Sequence, residues 1–213
     1  LISDKDFGQL YYIHHNSVNR QKRPGVEYHP SAKWFIDKNI SGGGPFIDWG
    51  VYDLAFHIGI LNRRPELLNF RSYFYNGLDS ISREKDFSVE EHAIAMMEFD
   101  NLNYYYERST NAHNYSKNET RIYSSKMGLK FNYLFAEDNK VQIFRNSSDG
   151  VYSEEEVEVS AVNYNGYESD YFEMDKEFIN CLSKKCKPKL KLFESLKNLD
   201  LLLNIYNKEN IKF

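Results

Sequence analysis

SGGGPFIDWGVYDLAF, residues 41–56, decides how this chain is read. Three successive glycines stand before what looks like a helix, and a fourth, Gly50, lies inside it. Each glycine in a helix interior costs about 1 kcal/mol relative to alanine. The helix signals are nonetheless clear. Pro45 suits the first helical position, where its missing N–H is no loss. Asp48 falls in the first turn, where its charge meets the positive end of the helix dipole. Phe46, Trp49, Leu54, Phe56 and Ile60 place apolar bulk nearly all round, so a largely buried helix is expected over 45–61. It ends near Asn62, before Arg63-Arg64-Pro65. The glycines are then expected to serve close approach of backbone to a neighbouring strand or a ligand.

Outward from this segment the pattern is mostly that of strands. Residues 9–16 (QLYYIHHN) read as an aromatic strand, followed by a loop with four basic side chains (NRQKRPGVEYHP, 19–30). Strands are expected over 66–75, 92–99 and 102–110, the last two joined by a turn at Asp100-Asn101. Further strands follow over 120–125, 128–132, 140–145 and 155–162. The chain finishes with helices over 171–184 and 190–207, separated by Pro188. The fold class expected is α+β: an open, mostly antiparallel sheet with helices packed on one face, in a single domain over 1–213. In the strand 92–99, Ala93, Ala95, Met97 and Phe99 share one face, and His92, Ile94 and Met96 share the other. Apolar groups on both faces point to a subunit interface through the open side of the sheet.

Composition narrows the function. Of the 213 residues, 41% are hydrophobic and 27% charged, as in ordinary globular chains. The net charge of −4 argues against binding driven by nucleic-acid phosphates. No apolar run approaches the roughly 18–20 residues that span a membrane. The opening LISDKDF is not a signal peptide and has no initiating Met, so a piece of a longer, cytoplasmic gene product is expected. Of the two cysteines, Cys181 and Cys186, a helical spacing of five sets them roughly 140° apart, so free thiols that do not meet within one helix are expected.

The glycine run fits neither phosphate-binding fingerprint. Ile47 stands where G-x-G-x-x-G needs its last glycine, and there is no G-x-x-x-x-G-K-[ST]. Close approach still leaves Gly43 and Gly44 as the candidate cofactor contacts. Asp48 and Tyr52 are four residues apart, so they share one helical face, while Asp53 is rotated away. Taken alone, Asp48 reads as a partner of the helix dipole and Tyr52 as a half-buried core aromatic. His14 and His15 point to opposite faces of their strand and cannot share a metal.

The segment AKWFIDKNISGGGPFIDWGVYDLAFHIGIL (32–61) resembles the opening of the C-terminal domain of the Gfo/Idh/MocA oxidoreductases, a glucose-fructose oxidoreductase-like fold. FGQLYYIHHNSVNRQKRPG (7–25), FDNLNYYYERS (99–109), RIYSSKMGLKFN (121–132) and FINCLSKKCKP (178–188) are similar to other parts of the same domain, in the same order, the first to its first strand and substrate loop. The resemblance implies hydride transfer between NAD or NADP and a sugar, inositol or related polyol. It also implies a preceding nucleotide-binding Rossmann domain with a catalytic lysine in Glu-Lys-Pro, neither of which this chain contains. The family's Gly-Gly-Gly run and Asp-x-Gly-x-His motif fall on Gly42–Gly44 and on Asp48 to Tyr52, with tyrosine where the family has histidine. Asp48 and Tyr52 become the implied catalytic pair. Trp34, Lys38, Arg20, Arg23 and His15 become the implied substrate contacts, and a dimer or tetramer through the open sheet the implied assembly. The alternative is a sugar-binding or assembly module that kept the fold without the activity, and the loss of the histidine favours it.

Overall fold

The computed structural model describes residues 7–19, 30–74, 87–110, 112, 114–134, 139–147, 149–159, 167–184, 186–188 and 191–208. Arg20 and Arg23 lie outside them. The elements run β1 (Leu10–Val18), a 3-10 turn (Pro30–Ile36), α1 (Lys38–Ser41), α2 (Pro45–Leu61), β2 (Glu66–Tyr73), β3 (His92–Phe99), β4 (Leu102–Ser109), β5 (Ser116–Ser124), β6 (Met127–Phe131), β7 (Lys140–Asn146), β8 (Tyr152–Glu158), α3 (Tyr167–Lys184) and α4 (Leu192–Lys208). The strands form one eight-stranded sheet in the order β2-β3-β4-β1-β5-β6-β7-β8. Pairing is antiparallel except between β1 and β4, where Ile13 lies opposite Tyr104 and His15 opposite Tyr106 in parallel register. β1 pairs β5 antiparallel across a long separation in sequence, the remaining pairs join strands consecutive in the chain, and Asp100 turns β3 into β4 with φ +56°.

Alternation along the strands sets the core. Ile13, Ala95, Met97, Tyr104, Tyr106 and Ile122 point to one face and are buried there beneath α2 and α4. Phe46 of α2 sits between Phe70, Tyr106 and Tyr206, with ring centroids 4.8, 5.2 and 5.6 Å away. Burying such a side chain is worth about 1.5–3 kcal/mol, and this cluster ties α2 to both the sheet and α4. The opposite face of the sheet is covered by none of the helices, and Tyr11, Tyr73 and Met96 are exposed on it. No helix among the described residues is long and apolar enough to cross a membrane.

Two expectations change. β5 begins at Ser116 and β8 covers Tyr152–Glu158, earlier than read from the sequence. The Glu154–Glu156 run obscures β8 because like charges disfavour a central strand. At an edge they are tolerated, with Lys140 2.6 Å from Glu156 and Arg145 3.3 Å from Glu155. Cys181 and Cys186 are thiols, as expected, and their sulfurs approach to 2.9 Å because α3 stops at Lys184 and Cys186 lies beyond the helix.

Candidate functional site

α2 has an inward and an outward face, and each carries polar chemistry. Inward, Phe46, Gly50, Asp53, Leu54, His57 and Leu61 are buried. Asp53 is fully enclosed, and four side chains converge on it. Arg108 of β4 donates from Nη2 to both carboxylate oxygens, at 2.8 and 2.7 Å, and from Nε at 3.0 Å. Tyr106 donates at 2.6 Å and Tyr133 donates to Oδ1. His15 Nε2 lies 3.5 Å from the same oxygen. Burial alone would raise the Asp53 carboxyl, but the guanidinium and the neighbouring donors overcome it and hold the group well below the usual carboxylate range.

A second chain of hydrogen bonds runs behind this pair. His57 Nδ1 is 2.6 Å from its own helix carbonyl at Asp53, so that nitrogen carries the proton, with Tyr104 Oη 3.0 Å away as a second acceptor. His57 Nε2 therefore accepts from Thr120 Oγ1 at 3.1 Å, and Thr120 accepts from His15 Nδ1 at 2.9 Å. Burial, with the charge of His15 adding to it, lowers the His57 pKa from 6.5 to about 3. The unfolded chain thus takes up a proton at His57 that the folded chain refuses. This stabilisation is complete above about pH 6.5 and is lost as pH falls toward about 3. The loss is at most about 1.4 kcal/mol per pH unit. Glu90, raised by burial, contributes with the opposite sign, so the clean measurement is an NMR titration of the His57 ring itself. It should remain neutral at pH 5; a midpoint near 6.5 would overturn the assignment.

The glycines seat the N-terminus of α2 against the same chain. A Cβ on Gly44 would lie 2.1 Å from the Glu90 carbonyl oxygen, and one on Gly43 would lie 2.8 Å from the Tyr206 ring. One on Gly50 would meet Leu202 of α4 at 3.0 Å. The buried Glu90 carboxylate accepts from the amides of Gly44 at 2.9 Å and Phe46 at 3.1 Å, and from the Tyr206 hydroxyl. These are the amides an anion would need at a helix N-terminus, and an internal carboxylate already occupies them. Gly43 and Gly44 are both buried, so the expectation that they contact a cofactor gives way to close packing within the chain.

Outward, Asp48 is half-buried and Tyr52, one turn on, is 61% exposed. Burial raises the Asp48 carboxyl, and Arg108 pulls it the other way. No hydrogen bond from the described residues reaches either side chain. Trp49 lies between them and the core, its ring centroid 6.0 Å from that of Tyr52 and 4.8 Å from the Arg108 guanidinium carbon. One guanidinium therefore grips Asp53 below and supports Trp49 above.

The remaining candidates are dispersed. Trp34 is 47% exposed and stacks on Phe35, and Lys38 lies 5.6 Å above the Tyr206 ring. Among the described residues no ring contact or hydrogen bond joins either to Asp48 or Tyr52. His15, expected to face substrate, is fully buried behind α2 and meets Thr120 and Asp53 instead. A depression of about 490 Å³ lined by Tyr11, Arg121, Lys126, Phe144 and Tyr152 lies on the uncovered face of the sheet and takes in none of the candidates. Asp53, Arg108 and His57 are the residues that sequence reading missed. Their signal was a polar pair, Asp53 and His57, spaced four apart within an otherwise apolar stripe.

The family profile described as the GFO/IDH/MocA C-terminal domain matches residues 1–130. The chain belongs to that family. Solved structures share its fold over nearly all of its length. An oxidoreductase domain protein from Kribbella flavida is 16% identical with a TM-score of 0.74, covering 97% of this chain and 59% of that one. Levoglucosan dehydrogenase in complex with NADH and levoglucosan is 14% identical with a TM-score of 0.74, covering 98% and 59%. UDP-N-acetylglucosamine 3-dehydrogenase from Acidithiobacillus ferrooxidans is 13% identical with a TM-score of 0.60, covering 93% and 53%. The chain thus spans less than two thirds of the length of these structures, which it resembles in fold. No curated protein matches it by sequence.

Proposed function

We propose that this chain is the substrate-binding and oligomerisation domain of an NAD(P)-dependent oxidoreductase acting on a sugar, inositol or related polyol, with its nucleotide-binding Rossmann domain preceding it. The observation that carries this is the outward face of α2. Asp48 and Tyr52 stand one turn apart, with no hydrogen-bond partner among the described residues, on a helix locked from beneath by Asp53 and Arg108. A pair left open in this way suits a cleft whose other wall comes from another domain. The levoglucosan dehydrogenase neighbour, solved with NADH and its sugar, supports that substrate class and cofactor.

The nicotinamide, when bound, accepts or delivers the hydride. The donors at the start of α2 do not fit its phosphates, because Glu90 holds them, so this reading assigns the dinucleotide to the preceding domain. Asp48 orients and polarises the reacting hydroxyl. Tyr52 takes the position of the family's histidine. Its phenol O–H can donate a hydrogen bond to the substrate, and a lysine from the preceding domain serves as base. Trp34 and Lys38 supply an apolar face and a charged donor to the polyol, and Arg20 and Arg23, outside the described residues, are its further candidate contacts. The uncovered sheet face, with Tyr11, Tyr73 and Met96 exposed, forms the homo-oligomer contact.

The test uses the full-length enzyme. Asp48→Asn should lower kcat by about 10²-fold or more, the usual scale of a lost acid–base partner. Tyr52→Phe should lower kcat by a smaller factor, with KM measured separately. The parent enzyme should sediment as a dimer or tetramer. Unchanged kcat and KM in both variants would remove the pair from the mechanism. The tyrosine at the histidine position favours a second reading, a sugar-binding module without turnover. That reading requires calorimetric polyol binding by a full-length protein that reduces no NAD(P).

A further inference from the structure

We propose that Cys181 and Cys186 form a reversible thiol–disulfide site at the end of α3, oxidised by small anionic disulfides of the glutathione type. The backbone builds the site. α3 ends at Lys184, and the chain turns so that the Cys186 N–H donates to the Cys181 carbonyl at 3.1 Å, one residue longer than an α-helical bond. Pro188 follows closely and keeps the helix from resuming. The turn sets the Cys186 thiol against the Cys181 sulfur at 2.9 Å, a separation that residues five apart cannot reach on a continuous helix.

Burial sorts the two sulfurs into roles. Cys186 is exposed, whereas Cys181 is 9% exposed on a helix whose other described side chains are, except Glu177, all open to solvent. Cys186 is thus the thiol that an external disulfide can reach, and Cys181 the one already in place to resolve the product. The exposed Lys184 and Lys187 flank the site and favour approach by a carboxylate-bearing disulfide.

The exchange balances in two steps. The Cys186 thiolate attacks one sulfur of glutathione disulfide, forming a mixed disulfide and releasing one glutathione thiolate. The Cys181 thiolate then attacks Cys186 Sγ, closing the Cys181–Cys186 bond and releasing the second. The protein loses two protons and two electrons, and one glutathione disulfide becomes two glutathione thiols. The site stands whether or not the chain has the function proposed above.

Intact-mass spectrometry and thiol counting on the reduced 213-residue chain, exposed to glutathione disulfide, test it. Both thiols should disappear together, with a mass lower by two hydrogens and full recovery under dithiothreitol. Cys181→Ser should stop at a stable glutathione adduct on Cys186, and Cys186→Ser should react far more slowly. A parent chain that accumulates one or two adducts without closing, or that forms only chain-to-chain disulfides, overturns the proposal.

Discussion

Arg108→Met is expected to cost about 3–5 kcal/mol of folding stability, the scale on which removing one partner of a buried ion pair is felt. Asp53 would keep its place between α2 and the sheet without its guanidinium counter-charge, its Tyr106 and Tyr133 bonds intact. Methionine fills much of the volume, so the loss is electrostatic more than steric. It would also remove the cation beneath Trp49. Against a typical total of 5–15 kcal/mol, such a change leaves the domain marginal. Urea denaturation at pH 7 reads it directly. Combining Arg108→Met with Asp53→Leu should return much of the loss, because an apolar pair needs no counter-charge. A single variant within about 1 kcal/mol of the parent would mean that solvent reaches Asp53 and that the clamp contributes little.

Gly44→Ala should be comparably severe, by another route. The added methyl would lie 2.1 Å from the Glu90 carbonyl oxygen, a backbone atom that cannot swing aside. Relief requires the segment before β3 to retreat from α2. That movement pulls the Glu90 carboxylate off the Gly44 and Phe46 amides and off Tyr206 together. Several buried polar groups then lose partners at about 1–3 kcal/mol each. Gly59→Ala is the matched control. It lies in the same helix with nothing within 4 Å of the new methyl, and should gain about 0.5–1 kcal/mol. Chemical denaturation of both variants decides the matter. If Gly44→Ala melts with the parent, close approach is not what the glycine provides.

What was legible in the sequence was what is written locally. Pro45 and Asn62 bound α2 where the capping rules put them, and Asp100 turns β3 into β4. The need for close approach was readable from the glycines, yet its partners were not. Glu90 and Tyr206 come from distant parts of the chain and meet only in the folded molecule. Asp53 was set aside as facing away from Asp48 and Tyr52. It does face away, and that direction is the protein interior. The stripe at 46, 50, 53, 54, 57 and 61 places Asp53 and His57 among buried positions, which demands partners for both. Reading that stripe for its polar members would have found the network. Cys181 and Cys186 are thiols, as expected, and the approach of their sulfurs comes from the turn beyond Lys184, which helical spacing does not describe. The parallel pairing of β1 with β4 left no local mark at all.

That pairing governs how the domain comes into being. β1 is the seam of the sheet, flanked by β4 on one side and β5 on the other. During synthesis it must wait, unpaired, until Ser109 and then Ser124 have left the ribosome. Such sequence-distant closure is slow and sets a late commitment to the folded state. Trimming this strand would not merely shorten an edge. It would split one continuous sheet into two separate meanders, β2–β4 and β5–β8, with α2 stranded above the gap.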